Sequence, residues 1–376
     1  MSQKNTPFRY DYVGSFLRPQ NLKDARKKYE KKEISHDELK AVEDEAILDL
    51  IAKQKKAGYH VITDGEYRRA YWHLDFFWGL HGISHIHSDQ GVSFNKEQKI
   101  TRPDTVQITG KISGENHPFV EDFKFVKAQE DENTVAKQTI PSPTQLVREL
   151  LMLENREENR KIYPDEKILF DDVVHAYRQI IQDLYDAGCR NLQLDDCTWA
   201  IFADRSKWAD YHLDDQSYAQ KTQEAVELNN RVLADWPDDL VINTHVCRGN
   251  FCSHYGWTGD YSLEAPYLFA EENVNAFYLE YDDARAGGFE PLKYVTPGKK
   301  VVLGLITSKR PELEDENTVI RRIHDAARYV PLENLYLSPQ CGFASVEEGN
   351  SLTEEDQWAK LALVKKIAER VWKDAE

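Results

Sequence analysis

The chain has 376 residues and a formal net charge of −17, enough length for one large core. So acidic a surface repels phosphate backbones and anionic lipid, which argues against nucleic-acid and membrane partners; its plain reading is solubility. No apolar run is long enough to span a membrane, and the opening Met1-Ser2-Gln3-Lys4-Asn5 lacks the apolar core of an export signal, so a cytoplasmic location is expected.

β-type apolar runs alternate with helical patterns along the chain. The first run covers 10–16, and a helical pattern at 35–57 follows it, closed by Gly58. The second run is 59–63. The polar stretch 82–136 then breaks the rhythm; its alternating segments 105–112 and 119–126 predict an inserted β-hairpin or small sheet on the rim. Further runs fall at 137–141, 190–194, 240–244, 275–279, 300–306 and 334–338, with helical patterns at 170–187, 215–235, 315–329 and 353–374. Gly188 closes the first of these helices, and Asp315 and Thr353 are N-cap candidates, the latter with Asp356 three residues on.

Eight runs, each followed by a helix or a long segment, predict an α/β fold: one (β/α)₈ TIM barrel over 1–376 with the insert at 82–136. A doubly wound sheet would carry a glycine-rich phosphate loop after its first strand, and Gly14-Ser15-Phe16-Leu17-Arg18-Pro19 lacks that spacing.

In such a barrel the chemistry lies where strands end. Asp64 and Glu66 follow the second run, Asp195 and Cys197 the fourth, His245 and Cys247 the fifth. Glu280 follows the sixth, Thr307 and Lys309 the seventh, and Cys341 the eighth. Two thiolates, one imidazole and one carboxylate can close a tetrahedron around Zn²⁺. Zinc held by soft sulfur is suited to binding and ionising an incoming thiol. Each residue has a bland reading: a lone cysteine after a strand is most often a small buried hydrophobe. Convergence of His245, Cys247, Glu280 and Cys341 on one rim is what favours metal. Cys252 and His254, further along the same loop, are competing ligands ranked second. Cys189 precedes a strand and reads as structural, and Cys197 as packing. His81, His85 and His87 lie in a polar loop and receive no metal. The aromatic run 71–78 reads as core or rim packing.

The chain resembles the catalytic domain of cobalamin-independent methionine synthase, and more closely that family's short, single-domain bacterial members. The resemblance rests on Val13-Gly14-Ser15-Phe16, Thr63-Asp64-Gly65-Glu66, Leu192-Gln193-Leu194-Asp195, Asn243-Thr244-His245-Val246-Cys247, Tyr278-Leu279-Glu280 and Ser338-Pro339-Gln340-Cys341-Gly342. It implies a zinc-dependent S-methyltransferase that makes methionine from homocysteine and a methyl donor. His245, Cys247, Glu280 and Cys341 would be the Zn²⁺ ligands. The turn Val13, Gly14, Ser15 would meet the substrate carboxylate, and Glu66 and Asp195 its ammonium group. The family's proton-donating histidine after the seventh strand is replaced here, leaving Lys309, Thr307 or a water for that role. A tryptophan expected after the third strand is also absent from Ser142-Pro143-Thr144-Gln145. The alternatives are a zinc alkyltransferase or lyase acting on another small thiol, and a protein that binds zinc and an amino-acid thiol without turnover. Homo-oligomerisation stays open.

Overall fold

The computed structural model describes residues 6–95, 100–151 and 156–375. The opening residues Met1 to Asn5, read above for an export signal, lie outside them. Ten strands occur among the described residues: β1 (Val61–Ile62), β2 (His81–Asn95), β3 (Ile100–Ser113), β4 (Val135–Ala136), β5 (Gln138–Pro141), β6 (Asn191–Asp196), β7 (Val241–Val246), β8 (Ala276–Glu280), β9 (Lys300–Ile306) and β10 (Leu335–Pro339). β5 to β10 form a parallel sheet in chain order. β1 pairs in parallel with β4, and Lys137 links β4 to β5 while donating its amide to the Ile62 carbonyl at 2.9 Å.

The remaining stave is the chain before Gly14. The Asp11 amide donates to the Leu337 carbonyl, and the Leu337 amide to the Arg9 carbonyl, both at 3.0 Å, on the flank of β10. On its other flank, the Tyr12 hydroxyl donates to the Val61 carbonyl, and Thr63 Oγ1 donates to the Gly14 carbonyl at 3.0 Å. The circle closes as a (β/α)₈ barrel. The sequence predicts a strand at 10–16, but only an isolated bridge at Tyr10 is regular. Side chains replace the ladder there, so the first stave leaves no regular strand of its own.

β8 and β9 are almost wholly buried, which accounts for their continuous apolar runs rather than alternation. The helices around them are cut to length by local chemistry. Ser35 and Glu38 form a capping box at His36–Lys56, as Thr353 and Asp356 do at Glu354–Val371. Asp315 accepts the Thr318 amide at the start of Glu316–Ala326. Several strands run one or two residues beyond the apolar runs, so Asp195, His245 and Glu280 are strand residues rather than loop residues. Among the described residues no helix is long and apolar enough to cross a membrane.

β2 and β3 form the antiparallel hairpin expected of the insert. β3 is anchored to the short helix Arg156–Ile162 and the residue after it: the Ile108 amide donates to Asn159 Oδ1 at 3.3 Å, and the Ile112 amide to the Tyr163 hydroxyl at 2.8 Å. The second alternating segment, 119–126, is not a strand. It lies in the helix Pro118–Lys127, where His117 caps the first turn and Pro118 fixes its φ.

The barrel interior is filled beneath its C-terminal mouth. Lys137 and Asp11, both fully buried, meet at 2.8 Å. The Tyr278 hydroxyl donates to the second Asp11 oxygen at 2.9 Å. Gln193 reaches over this layer, donating to the Val13 carbonyl at 2.8 Å and to Asp195 at 2.7 Å.

Candidate metal centre

Four side chains from the adjacent strands β7 and β8, the residue after β7 and the loop after β10 converge at the mouth. His245 is in β7, Cys247 one residue past it, Glu280 ends β8, and Cys341 follows β10. All four are buried, and one donor atom from each lies within 4.8 Å of the others. The two sulfurs are 3.8 Å apart. A disulfide would need about 2.05 Å. Two thiolates about 2.3 Å from one tetrahedral zinc stand about 3.8 Å apart. The spacing therefore fits a shared ion and not a covalent bond.

The surroundings orient these groups. His245 Nδ1 lies 3.2 Å from the Tyr278 carbonyl, which makes it the protonated nitrogen and leaves Nε2 a lone pair with no hydrogen-bond partner. The Arg248 amide donates to Glu280 Oε1 at 2.7 Å, and Oε2 has no hydrogen-bond partner. The Gly249 amide donates to the Cys247 sulfur at 3.3 Å. Contact with the Cys197 thiol, then burial, pushes the Cys247 thiol well up; contact with Cys247, then burial, does the same to Cys341. Buried sulfurs of this kind ionise only against a cation. The donor set thus fits a soft-to-borderline divalent ion. Lys309 is a cation at this site, its Nζ 3.7 Å from Glu280 Oε2. Burial lowers its affinity for a proton, but Glu280 and Asp282 outweigh that and hold it charged.

Comparison with known families decides where the chain belongs. Residues 10–368 match the model described as "Cobalamin-independent synthase, Catalytic domain". The chain is a member of the cobalamin-independent synthase family. The Bacillus subtilis protein YxjG is 42% identical over 374 residues, covering 99% of this chain and 97% of the relative. A methionine synthase of Saccharolobus solfataricus is 23% identical over 332 residues, 88% of this chain and 86% of the relative. A solved structure of a putative vitamin-B12-independent methionine synthase from Listeria monocytogenes superposes with a TM-score of 0.76 at 39% identity, covering 97% and 98% of the two chains. A B12-independent methionine synthase from Shewanella sp. W3-18-1, solved with selenomethionine, shares the fold at a TM-score of 0.70 and 19% identity.

Beside the donor cluster, the chain holds a pair of buried carboxylates. Asp195 is 5% exposed and Glu66 3%. Burial and then the Glu66 charge push the Asp195 carboxyl well up, and burial also raises Glu66. Glu66 sits at φ +61° in a turn after β1, with Gly65 at +65° before it. The Asp64 side chain holds the Glu66 amide at 2.8 Å and so supports this uncommon backbone. Two residues that sequence reasoning missed serve Glu66: Thr139 donates to its Oε1 at 2.9 Å, and Arg69 lies 3.3 Å away. Glu66 Oε2 is left without a hydrogen-bond partner. Arg69 and Arg18 act on Glu66, and Arg69 and Lys137 on Asp195, yet burial outweighs them, and the unpartnered Glu66 oxygen beside Asp195 can accept from a further positive group.

Ser15 lies against the loop after β10: its Oγ accepts the Ala344 amide at 3.3 Å, so its own proton is available to a ligand. A Cβ on Gly342 would fall 1.9 Å from that oxygen, so only glycine lets the two loops meet. Arg18, also missed, clamps these loops. It donates to the carbonyls of Glu66, Arg69, Ala344 and Val346. The signal was its place just after the Gly-Ser-Phe turn, but its partners are backbone atoms that no side-chain pattern marks.

Cys197 packs with Cys247, Cys341, Ala200, Ile201 and Trp257, and Trp72 and Leu213 lie against this apolar wall. Cys252 and His254 are not in the donor group; they form a tight turn of their own, with His254 Nδ1 2.8 Å from the Cys252 carbonyl. Cys189 is buried at the opposite end of β6. Thr307 Oγ1 accepts the Lys309 amide at 3.3 Å, so it shapes the loop that carries the lysine.

Proposed function

We propose that this chain, working as one barrel over 1–376, is a zinc-dependent methyltransferase that makes methionine from homocysteine. The observation that carries the proposal is the buried convergence of His245, Cys247, Glu280 and Cys341, with sulfurs 3.8 Å apart and a bare imidazole nitrogen. Family membership and the methionine synthases among its relatives support the same reading.

These four residues are the proposed zinc ligands. Bound zinc supplies Lewis acidity that makes a substrate thiol available as thiolate near neutral pH. Three anionic donors, one divalent ion and the Lys309 ammonium balance in charge, which keeps the buried site neutral overall. Glu66 and Asp195 take the substrate ammonium group, and Arg69 offsets part of the burial that raises the Glu66 carboxyl. The Ser15 hydroxyl and the turn at Val13 and Gly14 take its carboxylate. The wall of Cys197, Ile201 and Trp257 excludes water from the sulfur. Methyl transfer is a displacement at carbon, and the carrier departs with the bonding electrons and a proton. Lys309 is the assigned proton donor because it is charged, buried and next to the donor cluster.

The test is methionine formation from homocysteine with methylfolate mono- and polyglutamates, methylcobalamin and S-methyl donors, each with zinc-loaded protein. Turnover with one of them, lost in Cys341→Ala, is the expected result. No methionine from any donor overturns the proposal.

A further inference from the structure

Outside the mouth, a second group of metal-ligating side chains stands on the rim hairpin. His85 and His87 are two residues apart in β2 and so share one face of the hairpin. Asp104 in β3 is the register partner of His87. Sequence spacing brings only the two histidines together. The pairing of β2 with β3 adds the carboxylate.

Both imidazoles aim at the same oxygen. His85 Nε2 lies 2.6 Å and His87 Nδ1 2.9 Å from Asp104 Oδ1. The other oxygen, Oδ2, accepts the Tyr71 hydroxyl at 2.5 Å, which fixes the carboxylate plane and leaves Oδ1 to the imidazoles. The Trp78 ring lies against His85, with centroids 4.1 Å apart, and sets the orientation of that imidazole. Burial would raise the Asp104 carboxyl, but the hydrogen bonds from Tyr71 and His85 outweigh it and hold the group below its usual range. The carboxylate is therefore ionised and ready as a ligand.

We propose that His85, His87 and Asp104 form a second divalent transition-metal site, built from nitrogen and oxygen alone. The three donor atoms lie within 4.8 Å of one another. Two cis ligands about 2.05 Å from an octahedral ion stand about 2.9 Å apart, against about 3.4 Å in a tetrahedron. The nitrogen–oxygen separations of 2.6 and 2.9 Å are hydrogen-bond lengths that lie nearer the octahedral spacing, and an ion entering there would release the ring protons now shared with Asp104. Two imidazoles and one carboxylate suit nickel, cobalt or iron(II), with water in the remaining positions. The site differs in kind from the mouth, where two sulfurs select softer ions. The histidine side chains are 45% and 74% exposed, so the ion exchanges freely with solvent. Asp104 also ties the ion to the rim: Tyr71 bridges to Val346, and the neighbouring Trp72 amide donates to the Ser345 carbonyl at 2.9 Å.

The test is a calorimetric titration of the zinc-loaded full chain with Ni²⁺. One further ion per chain is expected, and His87→Gln or Asp104→Asn should weaken its binding by about tenfold or more with zinc content unchanged. His87 is exposed, so its replacement leaves the core intact. A Cys247→Ser/Cys341→Ser chain should still take one Ni²⁺, which separates this site from the reading of the mouth. A protein that takes no Ni²⁺, or whose uptake is unchanged in both His87→Gln and Asp104→Asn, overturns the proposal.

Discussion

Replacing Asp195 by Asn removes one ionisable carboxyl from the buried pair with Glu66 while keeping the shape of the side chain. The Asn oxygen can still accept from Gln193, so the hydrogen bond now at 2.7 Å survives. What changes is the electrostatics. In the native protein the two carboxylates repel one another in a site from which water is excluded, and Asp195 is raised well above its ordinary value by burial and then by Glu66. A group raised on folding adds stability below its unfolded pKa and loses it as pH rises through the folded one. The native chain therefore loses stability toward neutral pH on account of Asp195, and Asp195→Asn removes that loss. The variant should melt higher than the native protein near pH 7 and show a flatter dependence of melting temperature on pH. Binding moves the other way. A charge-assisted hydrogen bond to an ammonium group is worth about 1.5–3 kcal/mol. Its loss raises KM for the amino-acid thiol about 10- to 150-fold, with bound zinc unchanged. The assays are calorimetric melting between pH 4 and 8 and steady-state kinetics with homocysteine. A lower melting temperature together with an unaltered KM would refute the reasoning, because Asp195 would then be a structural acceptor and not a seat for a cation.

Loss of one thiolate should empty the mouth: Cys247→Ala or Cys341→Ala is expected to carry little zinc by elemental analysis, whereas Cys252→Ser keeps it, since Cys252 lies outside the donor group. Retention of metal in both alanine variants, or its loss from Cys252→Ser, would reassign the ligands. Lys137→Met leaves Asp11 buried with only the Tyr278 hydroxyl and the Tyr12 amide as donors. Breaking a buried ion pair from one side costs about 3–5 kcal/mol, so the urea midpoint should fall clearly; an unshifted midpoint would mean that the pair contributes nothing.

The mouth was largely legible in the sequence because barrel strands end there. A ligand at the end of an apolar run needs only the alternation of strands and helices to be placed. Glu280 is such a case, as the last residue of β8. Arg69 and Thr139 were not legible. Arg69 reaches Glu66 only because Gly65 and Glu66 adopt left-handed backbone angles, and a turn of that kind leaves no periodic mark. Thr139 reads as an ordinary strand residue until the barrel closes and turns it toward Glu66. The same limit explains 119–126. Its apolar spacing satisfies a strand and a helix alike, and the Pro118 start with its His117 cap decided for the helix. The hairpin cluster shows the converse. Two histidines were visible, but their meaning lay in Asp104, which only the register of β2 with β3 supplies.

The layer of Lys137, Asp11, Tyr278 and Gln193 has a bearing on traffic. A locked polar lattice plugs the floor of the barrel, so the site above it is closed from below. Whatever sits deepest must enter before, and depart after, whatever sits above it. On the proposed function the amino acid would rest against Glu66 and Asp195, above this plug, so the thiol would enter first and methionine leave last. Initial-rate patterns of random addition would show a second route into the barrel.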